Sequence, residues 1–171
     1  GARQAAWPQA DFIVGNPPFI GASSMRAALG DGYVEALRGA WPEVPESADF
    51  VMFWWHHAAA LVACGLARRM GLITTNSLRQ TFNRKVIERQ LGGKPPLSLA
   101  FVVADHPWVD SANGADVRIA MTVGTLDPAA GELLSVAEET ALPDGEIEVR
   151  LGLVARRGGR HLMVPRAGND S

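Results

Sequence analysis

The tetrapeptide Asn16-Pro17-Pro18-Phe19 brings together residue types that could do chemistry. A residue that precedes a proline is pushed into an extended conformation, and a proline has no N–H to donate. The tetrapeptide therefore predicts a stiff corner. It presents the Asn16 side-chain amide and the Pro17 carbonyl as oriented hydrogen-bond acceptors, with the Phe19 ring beside them. An ordinary proline-rich loop after a strand is the alternative interpretation.

Two short apolar runs are expected to position polar side chains at one edge of a sheet. Residues 11–15 read as a buried strand and residues 71–75 as a second short strand, and a polar helix over residues 78–91 follows the second one. The strand–helix–strand–helix order predicts parallel strands whose carboxyl ends form one rim. Asn16, Asn76 and Ser77 should share that rim, and a helix-capping role for the last two is compatible with this placement.

The clearest helix is predicted over residues 47–64, with Ser47 or Asp49 as its cap and Gly65 as its end. Its apolar or aromatic residues recur at three- and four-residue spacing: Phe50, Phe53, Trp54, His57, Leu61 and Cys64. Two histidines lie side by side at positions 56 and 57. Adjacent helical side chains diverge by about 100°, and the HExxH pattern is missing, so we predict no metal site.

The second half of the chain is predicted to be mostly β-structure. Residues 99–104 form an apolar run, and residues 117–123 alternate between apolar and other side chains. The connection between them, residues 105–114, holds no crossover helix, which predicts an antiparallel pair. Beyond residue 126 a small β extension is expected, with Gly158 and Gly159 as a hairpin turn. We therefore divide the chain into residues 1–126 and 127–171.

Composition excludes several broad classes of protein. The chain has 171 residues, 47% of them hydrophobic, which predicts a globular domain. A net charge of −2 provides no overall basic field for nucleic acid, so any contact with DNA must be local. The single Cys64 fits a reducing compartment, which favours the cytoplasm. The most apolar window, residues 50–67, is interrupted by Gly65 and predicts a buried helix, with no membrane partner.

The corner resembles the (Asn/Asp/Ser)-Pro-Pro-aromatic motif of class I S-adenosylmethionine-dependent amino-methyltransferases. The longer string of residues 14–21, followed by residues 25–30, is similar to the DNA adenine methyltransferase part of type IIG or MmeI-like restriction-modification and phage-defence enzymes. The resemblance implies an α/β fold. This would be a Rossmann-like methyltransferase half-sheet, with parallel strands, a closing antiparallel strand pair and the small β extension.

The resemblance also implies a reaction, in which a methyl group passes from S-adenosylmethionine to the exocyclic N6 amine of adenine. Asn16 and Pro17 would accept hydrogen bonds from the amine, Pro18 would be a rigid spacer, and Phe19 would stack on the base. Asn16 would also lie near the cofactor. In such enzymes the connection before the last strand approaches the target base, so Trp108 and its neighbour His106 are candidate contacts, together with Asn76 and Ser77 at the second strand end. A buried, anchoring Trp108 is the alternative.

The implied partners are double-stranded DNA with a flipped adenine, an upstream cofactor-binding segment and a target-recognition domain. The glycine-rich cofactor loop of such enzymes normally precedes the corner, and nothing before Asp11 supplies it. We therefore expect the isolated chain to be inactive. Two alternatives stay open, namely methylation of a glutamine amide in a protein and a non-catalytic fragment or recognition module. No nuclease signature is recognised.

Overall fold

The computed structural model describes residues 1–109 and 116–162. The strands are β1 (Phe12–Gly15), β2 (Arg69–Thr75), β3 (Ser98–Val109), β4 (Asp116–Thr125), β5 (Ala130–Ala141) and β6 (Ile147–Gly158). The helices are α1 (Met25–Leu29), α2 (Asp31–Ala40), α3 (Val51–Ala63) and α4 (Thr81–Leu91), and short 3-10 turns cover Ala22–Ser24 and Asn76–Arg79.

The strands form one six-stranded sheet in the order β1-β2-β4-β3-β5-β6. β1 and β2 are parallel, as predicted, and β3 and β4 form the predicted antiparallel pair. β4 inserts between β2 and β3 and is antiparallel to both. As a result β1, β2 and β3 all point in one direction, and their carboxyl ends lie along one edge of the sheet.

Helix α3 forms the centre of the core and packs against β2 and β4. Its first residues are buried almost without interruption, because this helix is apolar around most of its circumference. Trp55 has no exposed surface, and its indole N–H donates a hydrogen bond to the Thr122 hydroxyl on β4 (2.9 Å). Gly65 ends the helical segment with a φ of 72°, a conformation that glycine adopts without strain.

Two predictions for the second half of the chain are wrong. Asp105 to Trp108 continue strand β3 and are not a loop, because His106 to Trp108 pair with β4 after a register shift. Gly158 and Gly159 are not a hairpin turn. The turn between β5 and β6 spans residues 142–146, and Gly159 is buried where its carbonyl accepts a hydrogen bond from the Leu99 N–H (2.9 Å).

The β5–β6 hairpin continues the sheet, because β5 pairs in parallel with β3. The proposed boundary after residue 126 therefore lies between two strands of one hydrogen-bonded sheet. Arg118 on β4 adds a side-chain link across this junction, since it contacts both Asp105 on β3 and Glu139 on β5. The division into two units stays a prediction.

Close contact between β3 and β5 requires a glycine at position 131, which gives a first testable prediction. A Cβ atom there would overlap the Leu99 carbonyl oxygen, and the Leu162 side chain lies 2.9 Å from the same point. We expect Gly131→Ala to lower the free energy of unfolding by about 1–3 kcal/mol, because the backbone must shift. Urea unfolding of both proteins measures the difference.

The matched control for this substitution is Gly152→Ala on β6, the partner strand of the same hairpin. A Cβ atom at Gly152 would meet the Ala137 side chain at 3.4 Å, which is close to an ordinary contact. We expect this variant to unfold at nearly the wild-type urea concentration. Equal unfolding curves for the two variants would show that β5 does not approach β3 as closely as described.

None of the helices in the described ranges is both long enough and apolar enough to span a bilayer.

Candidate functional site

The corner follows β1 at the carboxyl edge of the sheet. β1 ends at Gly15, and the four residues of the corner alternate in burial. Asn16 and Pro18 are exposed, Pro17 is buried, and the Phe19 ring is partly buried. The corner therefore anchors itself through Pro17 and leaves the Asn16 amide accessible from outside the protein.

A cavity of about 720 Å³, which we call the rim cavity, lies beside the corner. Phe19 and the four residues after it form one wall, and the end of β2 and the start of α4 contribute another. The described lining residues are Phe19, Ile20, Gly21, Ala22, Ser23, Arg38, Glu46, Ser47, Asp49, Val51, Thr75, Ser77, Gln80 and Phe82. Asn16 is not among the described lining residues, so the cavity does not enclose its amide.

The segment after the corner is held by two neighbouring residues at the start of α3. The Asp49 carboxylate accepts a hydrogen bond from the Ala22 backbone N–H (Oδ1, 2.9 Å). The Phe50 backbone N–H donates to the Ile20 carbonyl oxygen (2.9 Å). These two hydrogen bonds fix residues 20–22, which directly follow Phe19.

The same Asp49 carboxylate also reaches the end of β2 and helix α4. Its other oxygen accepts hydrogen bonds from the Ser77 hydroxyl (2.6 Å) and the Asn83 side-chain amide (2.8 Å). Asn83 is almost fully buried, and its side-chain oxygen accepts a bond from the Asp49 N–H (2.8 Å). The prediction that Ser47 or Asp49 caps the helix is wrong, because α3 begins at Val51 and has no side-chain cap. Asp49 instead joins three segments around the rim cavity.

Asn76 and Ser77 both follow β2 at the predicted edge, but they face different neighbours. Ser77 lines the rim cavity and contacts Asp49 and Thr75. The Asn76 amide points toward Asp105 on β3, at 3.4 Å. That carboxylate also accepts a hydrogen bond from Arg118 (2.5 Å), and this bond raises the pKa of Arg118 above its ordinary value. Asn76 therefore belongs to a charged cluster next to the rim cavity.

Trp108 lies on the same edge of the sheet but lines another cavity. This second cavity, of about 520 Å³, lies between the end of β3 and the β5–β6 turn. His106 and Trp108 contribute one side, and Asp144 and Glu146 of the turn contribute the other. Trp108 is 38% exposed, so it is not a buried anchor.

The two histidines of α3 pack among aromatic side chains. The His56 ring is buried against Trp41, and its Nδ1 lies 3.3 Å from the Gln90 side-chain nitrogen. His57 packs between Trp7 and Trp41. Burial lowers the pKa of both histidines, which favours their neutral forms. Within the described ranges, no three His, Cys, Asp or Glu residues are grouped in a way that could hold a metal ion.

Sequence reasoning missed Asp49, Phe82 and Asn83 as components of this region. Phe82 lines the rim cavity from the first turn of α4, is 46% exposed, and has the Lys85 ammonium 5.2 Å from its ring centroid. Asp49 sits before a helix, where an acidic residue normally indicates a cap. Its actual partners lie 27 to 34 residues away in the chain, and local patterning has no signal for them.

Comparison with known proteins supplies a family assignment. The family model described as MmeI, DNA-methyltransferase domain, matches residues 2–134. This match confirms the resemblance that the corner and its flanking residues indicated. Among curated proteins, no match is found.

Two solved structures are similar in fold. The type IIL restriction-modification enzyme MmeI, solved in complex with DNA, aligns with a TM-score of 0.58 and 20% identity. A modification subunit ascribed to a type I restriction enzyme from Vibrio vulnificus YJ016 aligns with a TM-score of 0.52 and 18% identity. These alignments cover 82% and 80% of this chain, but only 18% and 26% of the respective neighbours. They confirm the predicted methyltransferase fold.

Proposed function

Because the chain belongs to the MmeI DNA-methyltransferase domain family, we propose that it contributes the target-base side of an adenine-N6 methyltransferase active site. The full reaction would transfer a methyl group from S-adenosylmethionine to adenine in double-stranded DNA. The enzyme would belong to a restriction-modification or phage-defence system. One observation carries the proposal: the corner follows a sheet strand at its carboxyl end, Asn16 is exposed there, and Phe19 lines a rim cavity of about 720 Å³.

The chemistry of the target amine explains why this corner suits it. The lone pair of the adenine N6 amine is delocalised into the ring, which makes the nitrogen a poor nucleophile. The Asn16 side-chain oxygen and the Pro17 carbonyl would each accept one N–H, which favours the pyramidal geometry of the developing ammonium. The nitrogen would take the methyl group as the carbon–sulfur bond of the sulfonium breaks, which leaves a neutral thioether, and the methylated nitrogen would then release one proton to solvent. No base is therefore needed before the attack.

The Phe19 ring would hold the flipped base in position. Stacking on an aromatic side chain returns roughly 1–3 kcal/mol of the energy that the base loses when it leaves the duplex. Phe19 is half-buried and lines the rim cavity. Ser77 would contribute to the other wall of the rim cavity, while Asn76 and Trp108 would contact DNA further along the edge.

We expect the corner to lie next to the sulfonium group of the proposed cofactor. When bound, S-adenosylmethionine supplies the electrophilic methyl group. The Asn16 side chain is exposed and neutral, and its oxygen can face a cation without the penalty that a basic residue would impose. Asn16 is the residue of this chain that we assign to the cofactor, and its role is to orient the reacting groups. The ribose and adenine of the cofactor would be held by the upstream segment.

The chain spans about a fifth of the length of MmeI and about a quarter of the modification subunit. We propose that a cofactor-binding segment and a target-recognition domain complete the enzyme. In that case the isolated chain should not bind S-adenosylmethionine tightly. Calorimetric titration is expected to give no saturable heat at micromolar cofactor, and a micromolar Kd for this chain alone would contradict the proposed division.

The experiment that tests the function is expression of the intact enzyme in a host that lacks other adenine methylation. Single-molecule sequencing of the host DNA should detect N6-methyladenine within one recognition sequence. Mass spectrometry of the digested nucleosides should find the same modified base. The alternative of protein glutamine methylation predicts unmodified DNA and a methylated glutamine in host peptides. The match to a DNA-methyltransferase family favours the first outcome.

A further inference from the structure

We propose that Asp49 is a positioning residue for methyl transfer, because its carboxylate holds the segment after the corner in the orientation that methylation requires. The inference rests on the proposed function and deepens it. Asp49 does not touch the reacting atoms. It acts through residues 20–22, which follow Phe19 directly in the chain.

The first argument is geometric. Ala22 is three residues after Phe19, and its N–H donates to Asp49 Oδ1 at 2.9 Å. The neighbouring Phe50 N–H donates to the Ile20 carbonyl at 2.9 Å. Asp49 and Phe50, which are adjacent in the chain, therefore bind residues 20 and 22 of the segment after the corner, one through its carbonyl and the other through its N–H. The direction in which the Phe19 ring leaves the corner depends on this attachment.

The second argument concerns the chemical character of the partners. Asp49 receives three hydrogen bonds through its side chain, from a backbone N–H, a hydroxyl and a side-chain amide. An ionised carboxylate has only acceptor sites, so all three donors are satisfied at once. Hydrogen bonds to a charged group are about twice as strong as neutral ones. An asparagine at this position would direct an NH₂ group toward at least one donor and would lose that bond.

The third argument is that the network joins separate parts of the rim cavity. Asn83 lies on α4, Ser77 follows β2, and Ala22 follows the corner. Asn83 is 2% exposed and donates to both Asp49 and the Ser77 carbonyl (2.9 Å). The buried Asn83 amide therefore fixes Oδ2 of the Asp49 carboxylate, while Oδ1 binds the Ala22 N–H. A displacement of any one segment would be transmitted to the other two through Asp49.

The test uses Asp49→Asn in the intact enzyme, with a duplex that carries the recognition sequence mapped by sequencing. We expect the single-turnover methylation rate to fall about 10- to 100-fold, because a small misplacement near the reacting groups has effects of this size. The Kd for the duplex should change less than about threefold. With 2-aminopurine at the target position, the fluorescence increase that reports base flipping should shrink or change its rate.

Asp31→Asn is the matched control. It makes the same chemical change on α2, where the side chain is 79% exposed and pairs with Arg26. This variant should methylate within about twofold of wild type. A wild-type enzyme that fails to methylate DNA would overturn the proposed function itself. An active wild type with an Asp49→Asn variant of equal rate would overturn the positioning role alone.

A loss of activity through misfolding must be distinguished from mispositioning. The thermal midpoint of Asp49→Asn is therefore measured beside the rate, and a rate loss that disappears at temperatures where the variant is fully folded would count against the proposal. Asn83→Ala provides a second variant. It removes the Asn83 amide that binds Asp49, and Asn83 is not among the described residues that line the rim cavity. It should slow methylation severalfold. If neither variant folds, the network is purely structural and the proposal is overturned.

Discussion

Asn16→Ala is expected to reduce the methylation rate of the intact enzyme on the order of 10²–10³-fold. The substitution removes one of the two acceptors proposed to bind the target amine, and the loss of a single preorganised hydrogen-bonding group in an active site has effects of this size. The fold should be unaffected, because the Asn16 side chain is exposed and lies after the end of β1. The rate is measured in single turnover with saturating cofactor and DNA.

Asn16→Asp is the matched control for this substitution. Aspartate keeps an acceptor oxygen in the same position, and the motif that the corner resembles accepts Asn, Asp or Ser. We expect this variant to retain most of the activity at neutral pH. If Asn16→Ala methylates DNA as fast as wild type, the asparagine has no part in the reaction and the assignment of the corner must be abandoned.

Trp55→Ala is expected to lower the free energy of unfolding of the chain by about 3–5 kcal/mol. Trp55 is fully buried in α3, and its replacement leaves a large cavity between the helix and the sheet. The substitution also removes the hydrogen bond that the Trp55 indole N–H donates to the Thr122 hydroxyl (2.9 Å). Asp49 and Phe50 directly precede α3, so a displacement of this helix should also weaken their hydrogen bonds to the segment after the corner.

Urea unfolding followed by circular dichroism measures this effect. Trp54→Ala is the matched control, since Trp54 is the preceding residue in the same helix but is only partly buried against the core. We expect its effect to be clearly smaller. Equal destabilisation by the two substitutions would mean that Trp55 is not the central contact between α3 and the sheet.

The corner itself was predictable from the sequence, because its stiffness is a covalent property. Pro17 and Pro18 restrict their own φ angles and the residues before them, whatever the rest of the chain does. The strand before the corner and the strand that ends at Thr75 were predictable as strands from their short apolar runs. Residue type was enough in both cases. The expected burial of the first strand is wrong, because Phe12 and Val14 are 58% and 84% exposed.

The placement of β4 between β2 and β3 was not predictable from local patterning. The alternation of residues 117–123 indicates a strand with two distinct faces, but it does not specify which strand lies on either side. The pairing arises from backbone hydrogen bonds between segments that are distant in the chain. The same limit explains the error at residues 105–108, which were predicted to belong to the connection although residues 106–108 pair with β4.

Sequence alone indicated the chemistry that we propose for this protein, which uses two acceptors and an aromatic ring at the end of a strand. Tertiary structure alone decided what surrounds them. It brought Asp49 to Ala22, Ser77 and Asn83, and it separated Trp108 from the rim cavity. The physical reason is that conformational restriction acts within a few bonds of a residue, whereas a hydrogen bond between distant segments exists only after the whole sheet has formed.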